Sequence, residues 1–286
     1  MDRFKLNKIS ETNNNLAWSI FCANYLYHLG VKYACISPGA RNSALTYSFS
    51  EKSKIKCFSH VDERSSAFFA LGLAKSDMSP VVLICTSGTA PANYFPAVIE
   101  ASLSCTPILI ISADRPSYLV NTGSNQTINQ HNLFGNFVRH FVDVGLPNKD
   151  ISKLKNNISF AMSSAKGSLF KLPPGPVHLN FPFEEPILST EIIDTVLPNF
   201  KFKSNKKIKK IKNFSILKNI NKPIIIVGPL DKNSGQNSII ELSNKLNAPI
   251  LADPLSQLRN GYSSDNIIVN YDLFLKYINL NPDCII

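Results

Sequence analysis

The sequence contains no apolar run long enough to cross a membrane. Its longest apolar stretches, Pro80 to Cys85 and Pro107 to Ile111, have the length of buried strands, whereas a membrane-spanning helix needs about 18–20 apolar residues. The N-terminal residues Met1-Asp-Arg-Phe-Lys lack the apolar segment of a secretory signal. We therefore expect a soluble protein without a membrane span.

Cysteine pairs with metal-ligand spacing are missing too. The six cysteines lie in apolar surroundings and form no Cys-x-x-Cys pair, and no spacing of histidines, cysteines and carboxylates indicates a metal site. Free thiols in a reducing compartment fit this pattern better than disulfides or zinc ligands, so we expect a cytoplasmic protein. The dinucleotide motif Gly-x-Gly-x-x-Gly is also absent.

Acidic residues are few, and the net charge of +10 is concentrated between Lys201 and Lys222. Such a basic segment could bind nucleic acid, but it has no interleaved aromatic residues and no recognised binding motif. We favour a solvated linker between domains and expect no nucleic-acid partner. The basic character would also suit anionic small-molecule substrates.

Strand and helix patterns alternate along the chain, which predicts an α/β fold with a doubly wound, mostly parallel sheet. We expect a first domain over 1–186, a basic linker over 187–222 and part of a second α/β domain over 223–286. The segment Ser117 to Gly135 has no clear period, as is typical of a functional loop. The chain stops on an apolar strand, so we expect the last domain to be incomplete.

A strand pattern from Ile55 to Val61 passes directly into a helix that begins at Asp62 and Glu63. One interpretation is that these carboxylates only cap the helix, where backbone N–H groups and the dipole favour an anion. The other is that Glu63 lies at the end of a sheet where carboxyl ends of strands meet ligands. The helix pattern alone leaves both open.

Two turns rich in small residues, Ser37 to Ser43 and Ser87 to Ala90, also join a strand to a helix. Free N–H groups in such turns bind anions, and the lack of bulk lets a flat ring approach the backbone. Arg41 adds a bidentate donor for a carboxylate. The competing interpretation is that small residues merely let each helix pack on the sheet.

Five motifs occur together, in the order and spacing of one family: Ser37-Pro-Gly-Ala-Arg41, Asp62-Glu-Arg-Ser-Ser-Ala-Phe-Phe-Ala-Leu-Gly-Leu-Ala-Lys75, Thr86-Ser-Gly-Thr-Ala-Pro-Ala-Asn93, Ala113-Asp-Arg-Pro116 and Gly123-Ser-Asn-Gln-Thr-Ile128. They resemble the MenD family of 2-succinyl-5-enolpyruvyl-6-hydroxy-3-cyclohexene-1-carboxylate synthases, which are thiamine-diphosphate transferases. The resemblance extends from about residue 15 to the end of the chain and implies that the first domain binds the cofactor's pyrimidine.

The resemblance gives Glu63 a chemical role. In the wider superfamily a glutamate hydrogen-bonds N1′ of the aminopyrimidine and thereby helps the cofactor to lose its thiazolium C2 proton. Glu63 matches that residue, and a contact of this kind accelerates reactions by ~10²–10⁴-fold. Pro38 and Asn93, in the two small-residue turns, would border the pyrimidine ring.

The same resemblance implies two substrates that each carry two carboxylates, 2-oxoglutarate and isochorismate. Arg41 and Arg115 match the family's isochorismate-binding residues, with Asn125 and Gln126 beside them. The sequence departs from the family in two places. Ala40 stands where serine is usual, and Ser117-Tyr118 replaces a usual Pro-Glu. The pathway implied is menaquinone or phylloquinone biosynthesis.

In this family Mg²⁺ and the diphosphate bind a third domain, whose Gly-Asp motif we do not find here. The resemblance therefore implies an N-terminal half that is inactive alone, and an enzyme that works as a homo-oligomer, a dimer or tetramer. Two alternatives stay open. The chain could be a non-catalytic remnant or binding module of the same fold, or part of a different thiamine-diphosphate lyase or decarboxylase.

Overall fold

The computed structural model describes residues 14–77, 79–167, 172–188, 220–230 and 234–286. These residues fall into two compact units, one within residues 1–202 and one within residues 203–286. The basic linker predicted over 187–222 lies for the most part outside the described residues.

The first unit is built on a six-stranded sheet in the order β2-β1-β3-β4-β6-β5, and every neighbouring pair is parallel. The strands are β1 Tyr33–Ile36, β2 Lys56–Ser59, β3 Val81–Cys85, β4 Ile108–Asp114, β5 His140–Asp143 and β6 Val177–Pro182. The helices are α1 Asn14–His28, α2 Ser43–Glu51, α3 Glu63–Asp77, α4 Phe95–Leu103 and α5 Ser152–Ala165, with short 3-10 turns at Pro91–Tyr94, Ser117–Leu119 and Gly135–Phe137.

Alternate residues of the central strands enter two different cores. Val82, Ile84 and Leu109 pack with α1, α2 and α5, whereas Leu83 and Ile110 pack with α3 and α4. Because both faces of the sheet are covered, β3 and the first four residues of β4 are apolar, and each large side chain so buried contributes about 1.5–3 kcal/mol.

The chain enters the sheet at β1, moves outward to β2 and then crosses back to β3 on the other side of β1. This reversal is the mark of a doubly wound sheet, and it leaves a crevice at the carboxyl ends of β1 and β3. The predicted fold class is confirmed.

The second unit contains a four-stranded parallel sheet in the order β10-β7-β8-β9. Its elements are β7 Pro223–Val227, α6 Gln236–Leu246, β8 Ile250–Ala252, β9 Ile267–Ile268, α7 Tyr271–Phe274, a 3-10 turn Leu275–Tyr277 and β10 Cys284–Ile285. Ile225, Val227 and Ile250 form its core with apolar residues of α6. This unit repeats the strand–helix alternation of the first.

Candidate active site

The candidate residues follow different strands but reach one edge of the first sheet. Arg41 follows β1, Glu63 follows β2, Ser87 follows β3 and Arg115 follows β4. Since all these strands are parallel, their carboxyl ends lie on the same side of the sheet, where doubly wound proteins bind ligands.

Arg41 lies in the turn between β1 and α2 with only 8% of its surface exposed. Its guanidinium donates from Nη1 to the carbonyl of Phe183, at 3.0 Å, and from Nη2 to the carboxylate of Glu185, at 2.9 Å. The turn itself is closed by Asn42, whose side-chain amide donates to the carbonyl of Ser37 at 2.8 Å. Arg41 thus spans from the end of β1 to the residues that follow β6.

Arg115 is fixed from three directions at the end of β4. Its backbone N–H donates to the Asp114 carboxylate at 2.7 Å, and Nη1 donates to the Ser87 hydroxyl and, at 2.7 Å, to the Gln126 carbonyl. Burial lowers the pKa of Arg115, and the positive charge of Arg41 lowers it further. Arg41 and Arg115 follow β1 and β4 at the same edge of the parallel sheet, and guanidinium groups placed there attract anions.

Gln126 ties the irregular loop to the turn after β3. Its side-chain amide donates to the carbonyl of Ser87 at 3.0 Å. Gly88 has a φ of +80°, which favours glycine, and a Cβ at this position would lie 2.8 Å from Gln126 Cγ. Both the backbone conformation and the close contact therefore require glycine there. Asn125 is exposed, and within the described residues its side chain does not join this cluster.

Asp62, and not Glu63, caps helix α3. The Asp62 carboxylate accepts a hydrogen bond from the backbone N–H of Ser65 at 2.7 Å, and this hydrogen bonding lowers the pKa of Asp62. Glu63 is half-buried as the first residue of α3. No hydrogen bond from the described part of the chain holds its carboxylate, which leaves it available for a ligand.

The negative charge of Glu63 acts on the end of β3. Burial raises the pKa of the Tyr94 phenol, and the charges of Cys85 and then Glu63 raise it further. The helix that begins with Glu63 packs in one core with β3 and Tyr94, which places Glu63 at this end of the sheet.

The two small-residue turns pack against each other at this crevice. A Cβ at Gly39 would overlap the Cβ of Thr86 and lie 2.8 Å from its hydroxyl. Pro38 and Asn93 are exposed beside these turns, and neither contacts the arginine cluster among the described residues. Two small-residue turns packed this closely, at the end of the sheet where α3 begins with Glu63, fit a flat aminopyrimidine ring, so the residues present are compatible with thiamine diphosphate.

Neither a metal site nor a membrane-spanning helix is found among the described residues. Within the described residues, no three His, Cys, Asp or Glu side chains are grouped so as to hold a metal ion. None of the described helices combines the length and apolar character needed to cross a bilayer.

Sequence reasoning missed several residues that the structure brings to the site. They are Phe183, Glu185 and the buried pair Gln130 and Asn180. Gln130 lies in the irregular loop close to Gln126, so the prediction of a functional loop already included its neighbourhood. No sequence feature indicated Glu185, because its contact with Arg41 depends on β6 lying beside β4. Tyr118, at one of the departures from the family pattern, donates to the Glu184 carboxylate at 3.1 Å.

Comparison with known proteins agrees with this geometry. Residues 21–133 match the family described as thiamine pyrophosphate enzyme, N-terminal TPP binding domain. The chain is 39% identical, over 96% of its length, to 2-succinyl-5-enolpyruvyl-6-hydroxy-3-cyclohexene-1-carboxylate synthase of Listeria innocua, and covers 50% of that protein. It is 38% identical, over 92% of its length, to the synthase of the same name from Trichodesmium erythraeum, and covers 48% of it.

The chain spans about half the length of the curated relatives it matches. Among solved structures it resembles benzoylformate decarboxylase from Polynucleobacter necessarius with a TM-score of 0.60 and 18% identity, over 85% of this chain and 43% of the other. At that identity the likeness concerns the fold alone.

Proposed function

This chain belongs to the family of 2-succinyl-5-enolpyruvyl-6-hydroxy-3-cyclohexene-1-carboxylate synthases, which are thiamine pyrophosphate enzymes, and on that premise we propose its reaction. The enzyme decarboxylates 2-oxoglutarate and adds the remaining four-carbon unit to isochorismate. This transfer is a step of menaquinone or phylloquinone biosynthesis. The chain contributes the pyrimidine-binding part of the site and the arginines that recognise isochorismate.

The convergence of Arg41 and Arg115 carries the proposal. Two guanidinium groups at one sheet edge fit a dicarboxylate, and a carboxylate of this chain, Glu185, already lies on Arg41 at 2.9 Å. Bidentate pairing with carboxylates is the particular strength of arginine. Gln126 would bind the same substrate from the loop that it anchors on Ser87, and Asn125 beside it would contribute an amide.

Glu63 is the proposed catalytic residue. Thiamine diphosphate, when bound, supplies a nucleophilic carbon that accepts and transfers the four-carbon unit. The Glu63 carboxylate would hold a proton at N1′ of the aminopyrimidine, and the small-residue turns at Pro38 and Asn93 would exclude water from that ring. Since Asp62 performs the capping, Glu63 is free for this task. We propose from the family resemblance alone that Mg²⁺ and the diphosphate bind a further domain.

We also propose that the enzyme is a homo-oligomer, a dimer or tetramer. Phe68 and Phe69 of α3 are 44% and 41% exposed, and Val61 before α3 is 87% exposed. These apolar side chains lie on, or just before, the helix that begins with Glu63, so a second copy covering them would also enclose the carboxylate. The buried thiols of Cys22, Cys35 and Cys85 support a reducing, cytoplasmic location.

The test is an assay of the protein as its source organism makes it, with its intact mass measured alongside. With thiamine diphosphate, Mg²⁺, 2-oxoglutarate and isochorismate we expect carbon dioxide and the coupled product in equal amounts. Arg41→Met and Arg115→Met should each raise the KM for isochorismate at least tenfold. Carbon dioxide release that is indifferent to isochorismate would favour a decarboxylase, and cofactor binding without turnover would favour a binding module.

A further inference from the structure

A chain of buried hydrogen bonds joins the turn after β3 to the arginine after β4. We propose that Gln130 and Asn180 are positioning residues that fix the Gly88 turn and Arg115 in one common arrangement. This inference rests on the proposed role of Arg115 in binding isochorismate. It extends the site inward, to residues that touch neither substrate nor cofactor.

The first half of the chain runs through Gln130. The Gly88 N–H donates to Gln130 Oε1 at 2.8 Å. Gln130 Nε2 then donates to Asn180 Oδ1 at 2.8 Å and to the Ala113 carbonyl at 3.2 Å. Both N–H groups of this amide are therefore in use, and its orientation is determined by its neighbours.

The second half runs through Asn180 and Asp114. Asn180 Nδ2 donates to the Asp114 carboxylate at 2.8 Å and to that of Asp143 at 3.1 Å. The other oxygen of Asp114 accepts the Arg115 backbone N–H at 2.7 Å. Asn180 Oδ1 also accepts from the Ser112 hydroxyl at 2.8 Å, so all four hydrogen-bonding positions of the Asn180 amide are filled.

The burial of these groups argues that the chain does more than hold the sheet together. Gln130 and Asn180 are each 1% exposed and Asp114 is 5% exposed, beside strands whose buried residues are mostly apolar. Well-packed apolar side chains often stabilise such a position as well or better, whereas a fully satisfied polar network selects one arrangement. The arrangement selected here aims Arg115 at Ser87 and Gln126.

The first experiment measures hydrogen–deuterium exchange at the Gly88 and Arg115 amides of the intact protein without substrate. Asn180→Leu should accelerate exchange at both amides at least tenfold, because the chain is broken between them. Asn24→Leu is the matched control. Asn24 also ties backbone carbonyls together, those of Ile20 and Lys52, but it lies outside the network, so it should leave both amides unchanged.

The second experiment measures kinetics. Gln130→Met, which nearly conserves volume, should raise the KM for isochorismate at least tenfold while kcat and the KM for 2-oxoglutarate stay within twofold. A purely structural role would lower yield or melting temperature and leave the KM ratio of the folded enzyme unchanged.

The two experiments separate failure of this inference from failure of the proposed function. The positioning role is overturned if a substitution accelerates exchange at only one of the two amides, Gly88 or Arg115. It is also overturned if an active Gln130→Met enzyme has an unchanged KM for isochorismate. If the wild-type protein does not use isochorismate, the proposed function fails, and the exchange experiment still tests whether the network couples the turn to Arg115. Should Asn180→Leu fail to fold, Gln130→Met supplies the exchange measurement.

Discussion

Arg41 and Glu185 form an ion pair across the carboxyl edge of the sheet, with 2.9 Å between Nη2 and the carboxylate oxygen. The guanidinium is buried, with 9% of the side chain exposed, whereas 75% of the Glu185 side chain is exposed. The Arg41 guanidinium is thus held by a backbone carbonyl, that of Phe183, and by an exposed carboxylate, that of Glu185. A substrate carboxylate that takes this position on Nη2 would displace Glu185.

Replacing Glu185 with Gln should therefore tighten isochorismate binding. An exposed ion pair is worth about 0–1 kcal/mol, so the KM for isochorismate should fall by up to about fivefold, with kcat unchanged. Steady-state kinetics at fixed 2-oxoglutarate measures this effect. Glu184→Gln is the control, because Glu184 accepts from Tyr118 and not from Arg41. A higher KM in Glu185→Gln would mean that Glu185 steadies Arg41 for binding.

Glu63→Gln should leave the fold intact and slow exchange of the C2 proton of bound thiamine diphosphate by ~10²–10⁴-fold, because the amide cannot hold the N1′ proton as a carboxylate does. Proton NMR of the bound cofactor, quenched at intervals in heavy water, measures the rate.

The neighbouring residue provides the control for Glu63. Asp62→Asn alters the group that caps α3 and should reduce the stability of the protein slightly without slowing C2 exchange. Equal exchange rates in wild type and Glu63→Gln would show that Glu63 has no part in proton transfer.

The fold could be predicted from the sequence because its main signals are local. The apolar runs that became β3 and β4 are buried on both faces, as expected in a parallel sheet, and the helix beginning at Asp62 is confirmed. Strand β5 was missed, since His140–Asp143 is a short edge strand with polar ends and only partial burial. The position of β5 is fixed by its pairing with β6, and no local sequence pattern reveals that pairing.

The contacts of the site could be predicted only in part. The five motifs singled out Arg41, Arg115 and Gln126. The structure joins Arg115 and Gln126 through Ser87, whereas Arg41 contacts the residues that follow β6. The role of Asn180 follows from strand order alone, because β6 pairs with β4 and places Asn180 beside Ser112. Long-range pairing of this kind leaves no periodic trace in a single sequence.

Gly39→Ala should destabilise the first unit and weaken cofactor binding. The added Cβ would overlap Thr86, and overpacking of this kind costs about 1–3 kcal/mol. Gly72→Ala, in α3 of the same unit, is the matched control, because nothing lies within 4 Å of a Cβ there. Urea unfolding followed by the fluorescence of Trp18, the single tryptophan, measures the first unit, in whose core Trp18 is buried. Equal midpoints for Gly39→Ala and wild type would contradict the close packing of the two turns.

The stability of the first unit should depend on pH through His178. Burial lowers the pKa of His178 to about 3, whereas a histidine in an unfolded chain has a pKa of about 6.5. Between these values the unfolded chain binds a proton that the folded chain does not, so the free energy of unfolding falls as the pH falls. From pH 7 to pH 5 the free energy of unfolding falls by about 2 kcal/mol because of His178.

The variant His178→Gln, whose side chain can still hydrogen-bond Ser112, should lack this decrease in the free energy of unfolding. His140, whose pKa burial also lowers, is common to both proteins and cancels in the comparison. Urea unfolding followed by Trp18 fluorescence at the two pH values measures the difference, and equal pH dependence in the two proteins would mean that His178 is not protonated on unfolding in this range.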